Sequence, residues 1–201
     1  HVGEESLLDI HAYILATTEG VREKKKPRAK KDPFPDDGRR PKVMRIFVDE
    51  ASPAAIVVAM PGDLSYCYDA ASSRLRYVWS GGFIDGFPYW KGNGSSLAKI
   101  AGDIVYRESE RPYPLNEAKA APQFLGYRID PTDQLPVFRY AIGDQLIEEK
   151  ITSLPEGEGI QRELVFKNDN DALSSISLVP SATSSSLKKV ASGSVIIETA
   201  W

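Results

Sequence analysis

SPAAIVVAMPGDLSYCYDAASSRLRYVWSGGFIDGFPYW, from Ser52 to Trp90, holds three strand-like runs, two turn signals and a cluster of aromatics among glycines. Ala55 to Met60 is a continuous apolar run, rich in branched side chains and short for a helix. Pro61-Gly62-Asp63 breaks it, because proline presets one turn dihedral and glycine frees the next. Leu64, Tyr66 and Tyr68 then alternate with Ser65, Cys67 and Asp69, the two-residue period of a half-buried strand. After a turn over Asp69 to Ser73, Arg74 to Trp79 repeats the alternation. Alternating runs joined by short turns predict antiparallel strands. Ser80 to Trp90 follows as a glycine-rich loop carrying Phe83, Phe87, Tyr89 and Trp90.

The same grammar extends in both directions. Val43 to Val48 alternates upstream. Leu97–Tyr106, Gln123–Ile129, Val137–Ile142, Gln145–Thr152, Ile160–Phe166 and Leu173–Val179 continue the series downstream. Gly143-Asp144 between two alternating runs is a two-residue hairpin signal. Arg107 to Pro122, polar with three prolines, reads as a surface loop. Ser181 to Ser186 reads as another, before the β-branched run up to Trp201. About ten short strands with no helical pattern between them predict an all-β domain over residues 43–201. Its form is a large antiparallel β-sandwich, supersandwich-like in its strand number.

Two other segments precede it. Residues 1–18 contain a short N-terminal helix, with Leu7, His11 and Ile14 on one face and Leu8 and Leu15 beside them. Residues 19–42 form a basic, proline-containing linker with almost no apolar content, which cannot bury enough surface to offset its ordering entropy.

Composition narrows the function. The formal charge is −3, and the first 45 residues carry 11 Lys and Arg against 8 Asp and Glu. An acidic body behind a basic lead-in argues against nucleic acid as a partner. No apolar run approaches the length of a membrane span. Cys67 is the only cysteine, so it forms no internal disulfide, and no CxxCH motif attaches haem to this chain. On an alternating strand it reads as a small buried hydrophobe. His1 and His11 both precede the linker. A Ser-His-Asp triad, a Cys-His pair or a zinc site of the usual N/S type therefore cannot be assembled in the β domain. Asn168-Asp169-Asn170-Asp171 lacks the glycine and distal glutamate of a calcium loop and reads as a turn, so no metal is expected.

Three residue sets remain. Trp79, Phe83, Phe87, Tyr89 and Trp90 would form an aromatic platform, with Asp85 and Lys91 offering hydrogen bonds, a pattern suited to stacking and rimming a sugar. The same aromatics would equally serve as core or as a docking surface. Arg128 and Arg139 would face one side if their strands pair, and together clamp a carboxylate; alternation alone also predicts them as solvent-facing charges. Asp49, Glu50, Asp63, Asp69, Asp85, Asp103 and Glu108 would supply an acid and a base for sugar chemistry if two of them met in space.

The run RIFVDEASPAAIVVAMPGDLSYCYDAASSRLRYVWSGGFIDGFPYWKGNG, with Gly102–Tyr106, Gln123–Arg128, Pro136–Tyr140 and Arg162, resembles a β-rich domain of large secreted bacterial proteins. That domain accompanies c-type cytochromes and sorbosone-dehydrogenase-like modules, and the resemblance covers about Pro41 to Phe166. It implies a periplasmic or secreted location and a c-type cytochrome domain as neighbour, with any haem c held there and no cofactor in this chain. The N-terminal helix, with its Ala-Tyr-Ile-Leu, resembles the closing helix of such a cytochrome. The expected function is a non-catalytic, extracytoplasmic binding or interaction module of a c-type cytochrome-containing protein, with carbohydrate at the aromatic loop as one candidate ligand. A sugar-active enzyme using carboxylates and a structural spacer that docks a cytochrome are the alternatives.

Overall fold

The computed structural model describes residues 3–18, 32, 35–92, 96–111, 120–167, 184–190 and 193–201. The chain divides into two units, His1–Pro33 and Phe34–Trp201. In the first, helix α1 spans Glu4–Thr18, and its Leu7, Leu8, Ile10, Tyr13, Ile14 and Leu15 are exposed. No described helix is long and apolar enough to cross a membrane.

The second unit is an antiparallel β-sandwich. One sheet holds β1 (Lys42–Arg45), β2 (Ala55–Ala59), β3 (Leu64–Asp69), β4 (Arg74–Asp85) and β5 (Lys99–Arg107) in that order. The other has six strands. They are β6 (Gln123–Ile129), β7 (Pro136–Ile142), β8 (Gln145–Ser153), β9 (Gly159–Phe166), β10 (Ser184–Val190) and β11 (Ser194–Ala200). Their spatial order is β10-β11-β9-β8-β7-β6. Within each sheet consecutive strands pair antiparallel, except that β9 pairs with β11 and leaves β10 at the edge. Gly143-Asp144 closes the hairpin between β7 and β8 with Gly143 at φ 58. The inner face of the smaller sheet presents Ile56, Val58, Tyr66 and Tyr68 to Phe138, Ile151 and Ile160 of the larger. Phe138 stacks on Tyr68 at 3.8 Å between ring centroids. Truncating a ring so placed costs about 3–5 kcal/mol, a transfer loss plus a cavity.

Four sequence expectations change. Leu64 to Asp69 alternates in sequence yet is buried at every position. The outer face of its sheet is itself covered: Ile46, Val48 and Ala98 pack there with Trp79 and Phe83, and Tyr89 and Trp90 close over them. Gly81 and Gly82 do not start a loop, because β4 runs through them to Asp85, and a short helix α2 (Phe87–Lys91) follows. Ser184 to Ser186 belong to β10, pairing with Glu198 to Ala200. Finally, part of the expected linker is anchored to the sandwich. Arg40 donates to the Leu64 carbonyl (3.0 Å), the Ser65 hydroxyl (2.9 Å) and the Gly81 carbonyl (2.8 Å). Lys42 ties Asp36 and Asp37 at 3.0 and 2.6 Å. The run expected at Leu173–Val179 and the Asn168–Asp171 turn lie outside the described residues.

Candidate functional site

The structure separates the aromatic residues expected to act together. Trp79 and Phe83 are buried on the outer face of the five-stranded sheet, with rings stacked at 6.2 Å. The Trp79 indole N–H is spent on the carbonyls of Gly82 (2.9 Å) and Phe83 (3.0 Å). Neither ring offers a face to a ligand; both are core. Asp85, the last residue of β4, is exposed, its carboxylate accepting from the Phe87 amide at 3.0 Å. Phe87, Tyr89 and Trp90 are half-buried on α2, and Lys91 lies over the Phe87 ring at 5.9 Å. Tyr89 and Trp90 meet edge to face at 5.1 Å. A Cβ at Gly86 would stand 2.7 Å from the Trp90 indole nitrogen, so the missing side chain makes room for that indole. The helix is a lid on the sheet.

Beside that lid is a concavity of about 690 Å³. Its floor is apolar, made by Tyr77, Ala98, Ile100 and Ile104, and Pro88 of α2 stands at its edge. Its rim is polar: Asp49, Glu50, Lys99 and Arg107. Arg107 grips Glu50 with a two-pronged bond, Nε and Nη2 each 3.0 Å from a carboxylate oxygen. Arg76 donates to the Glu50 carbonyl and Tyr77 to the Asp49 carbonyl, both at 2.9 Å. Those bonds fix a turn in which Glu50 adopts φ 58, uncommon for a side chain of its size. The Arg107 guanidinium holds the Glu50 carboxyl below its ordinary range. These bonds hold the rim in place.

Arg128 and Arg139 do share one side of the six-stranded sheet, its outer face. The carboxylate between them belongs to the chain: Glu148, 3.8 Å from Arg128 and 3.7 Å from Arg139. Lys167 reaches Glu148 as well, at 3.5 Å. Most of the other acidic side chains are occupied locally. Asp63 accepts from the Gly81 amide and Asp69 from Ser52 and the Ala71 amide. Asp103 is exposed on β5. Glu108 is buried between the sheets, on the opposite face of the chain from Arg107. Only Asp49 and Glu50 of this set line the concavity, and Arg107 neutralises the second. Burial pushes the Cys67 thiol up to about 12, which keeps it protonated and inert. Among the described residues no three His, Cys, Asp or Glu side chains gather as a metal site.

Lys99 and Arg107 were not legible as site residues. The Glu50–Arg107 pair joins positions 57 apart, and no local pattern announces it. No family model matches the chain, and no curated protein or solved structure matches it either.

Proposed function

We propose that the β-sandwich is a non-catalytic, extracytoplasmic binding module that seats a carbohydrate in the concavity beside α2. The observation that carries this reading is the combination of an open apolar floor with the prearranged Glu50–Arg107 fork. Ligand sites combine an apolar lining with a few fixed polar groups. A sugar offers C–H faces to the floor and hydroxyls to the rim. Binding rather than turnover is favoured because the domain has no histidine and because Glu50, one of the two rim carboxylates, is committed to the Arg107 guanidinium. The neighbour in this reading is a c-type cytochrome domain carrying its own haem, as the sequence resemblance implies.

Titrating the chain with mono- and oligosaccharides, followed by calorimetry and tryptophan fluorescence, tests the proposal. Saturable binding without conversion is expected. Arg107→Ala should weaken it roughly tenfold, the usual loss for a charged hydrogen bond to a ligand. Trp90→Ala should weaken it less, by loosening the lid. A silent panel, with a cytochrome domain captured in trans, would favour the spacer reading. Turnover lost at one carboxylate while binding survives would establish an enzyme.

A further inference from the structure

Glu108, Glu149 and Arg162 lie between the two sheets at 4%, 0% and 1% exposure. Arg162 comes from β9, Glu149 from its neighbour β8, and Glu108 from the position after β5 of the facing sheet. Arg162 Nε donates to Glu149 Oε1 at 2.7 Å, and its Nη1 donates to Glu108 Oε1. The Tyr140 hydroxyl of β7 donates to Glu149 Oε2 at 3.1 Å. Glu108 Oε2 has no hydrogen-bond partner among the described residues, and neither has the buried hydroxyl of Tyr66 on β3.

Two carboxylates sharing one guanidinium leave excess negative charge in a dry interior, where unpaired charge is costly. A proton on Glu108 removes the excess, and a neutral carboxyl tolerates an unpaired oxygen far better than a carboxylate does. The other cations nearby, Arg111 and Arg74, offset that excess only in part. Arg111 donates to the Ser72 and Ser73 carbonyls and lies over the Tyr140 ring at 5.5 Å. Arg74 on β4 donates to the Ser109 carbonyl. Tyr106 on β5 brings only a phenol, stacked on Trp201.

We infer that Glu108 is a proton-binding site that latches the end of β5 to the six-stranded sheet. Protonated, it rests as a neutral acid against Arg162. Ionised, it draws the segment from Arg107 to Arg111 toward water. Desolvation pushes its carboxyl up to about 7, with Arg162 opposing this, Glu149 adding to it and Arg111 opposing it to a lesser degree. The folded chain therefore holds a proton that the unfolded chain releases at the ordinary glutamate value. The stabilisation is complete below that value and is lost as pH rises through about 7.

Thermal unfolding of the full chain tests the latch. The midpoint of the natural sequence should fall by about 3–5 °C between about pH 6 and pH 8. Glu108→Gln should flatten that slope. Should the variant fail to fold, infrared spectra of the natural protein serve instead: a protonated-carboxyl band should vanish as pH rises through neutrality. The Glu108 amide, which donates to the Arg76 carbonyl at 2.9 Å, should exchange faster in the ionised state once intrinsic rates are removed. An unchanged slope in Glu108→Gln, no such infrared band, or exchange altered equally across every strand would overturn the inference.

Discussion

Glu148 and Glu149 follow one another on β8, and the pleat sends them to opposite faces of the sheet. Glu148 faces outward among Arg128, Arg139 and Lys167, with nitrogen–oxygen distances of 3.5–3.8 Å. Glu149 faces inward and is held by Arg162 at 2.7 Å and Tyr140 at 3.1 Å. The first group has cations to spare and water beside it. The second shares one cation with another acid and has no water to screen the rest. Residue type does not distinguish a surface ornament from a structural commitment; the medium does. The sheets differ in the same way. The five-stranded sheet is covered on both faces, and the gap left in its outer cover, beside α2, is the concavity. The six-stranded sheet leaves its outer face wet and fills it with paired charges, a surface that gives a ligand little to displace.

Substitutions can break this contrast, and the largest effect is expected inside. Arg162→Ala removes the guanidinium that Glu108 and Glu149 share and should cost about 3–5 kcal/mol in denaturant unfolding. A loss under about 1 kcal/mol would mean that water reaches the cluster. Replacing the trio together, Glu108→Leu, Glu149→Leu and Arg162→Met, should recover most of the loss, because apolar packing substitutes well for a buried ion cluster. Gly86→Ala should come next, at about 1–3 kcal/mol, as its methyl group pushes Trp90 off the outer face of the five-stranded sheet. Glu148→Gln should shift stability by less than about 1 kcal/mol, and added salt should erase even that. Smallest is Asp130, half-buried and bonded to Lys150 at 2.8 Å, whose carboxyl is held down at about 2. Its contribution is present above the ordinary aspartate value and is lost as pH falls through about 2, so Asp130→Asn should alter only the acid limb of a circular-dichroism titration.

Much of the sandwich was legible because its strands obey local rules. Gln123–Ile129 has the expected limits, and the strands from Pro136 to Phe166 differ by about a residue at their ends. The course of β4 was not. Gly81 and Gly82 look like loop residues from sequence, but a Cβ at Gly82 would sit 2.6 Å from the Ala101 carbonyl oxygen and one at Gly102 only 1.9 Å from that of Ser80. Those glycines serve a close approach across strands, a cause invisible to neighbours in sequence. The site divides similarly. Arg128 and Arg139 could be placed on one face by alternation, yet nothing local named Glu148 as the carboxylate between them. Trp79 and Phe83 carried the chemistry of a platform and the periodicity of a core, and packing from Ile46 and Val48 decided for core. The Glu50–Arg107 and Glu108–Arg162 pairs span 57 and 54 residues, so only the fold brings them together.

The most direct test of the binding reading maps amide exchange with and without the tightest saccharide from the panel. Protection should appear at Asp49, Glu50 and along Lys99–Arg107, while the strands carrying Arg128 and Arg139 stay unchanged. Protection confined to Gln123–Ile129 and Pro136–Ile142 would contradict the account, because the ligand would then occupy the face where Glu148 already pairs with Arg128, Arg139 and Lys167.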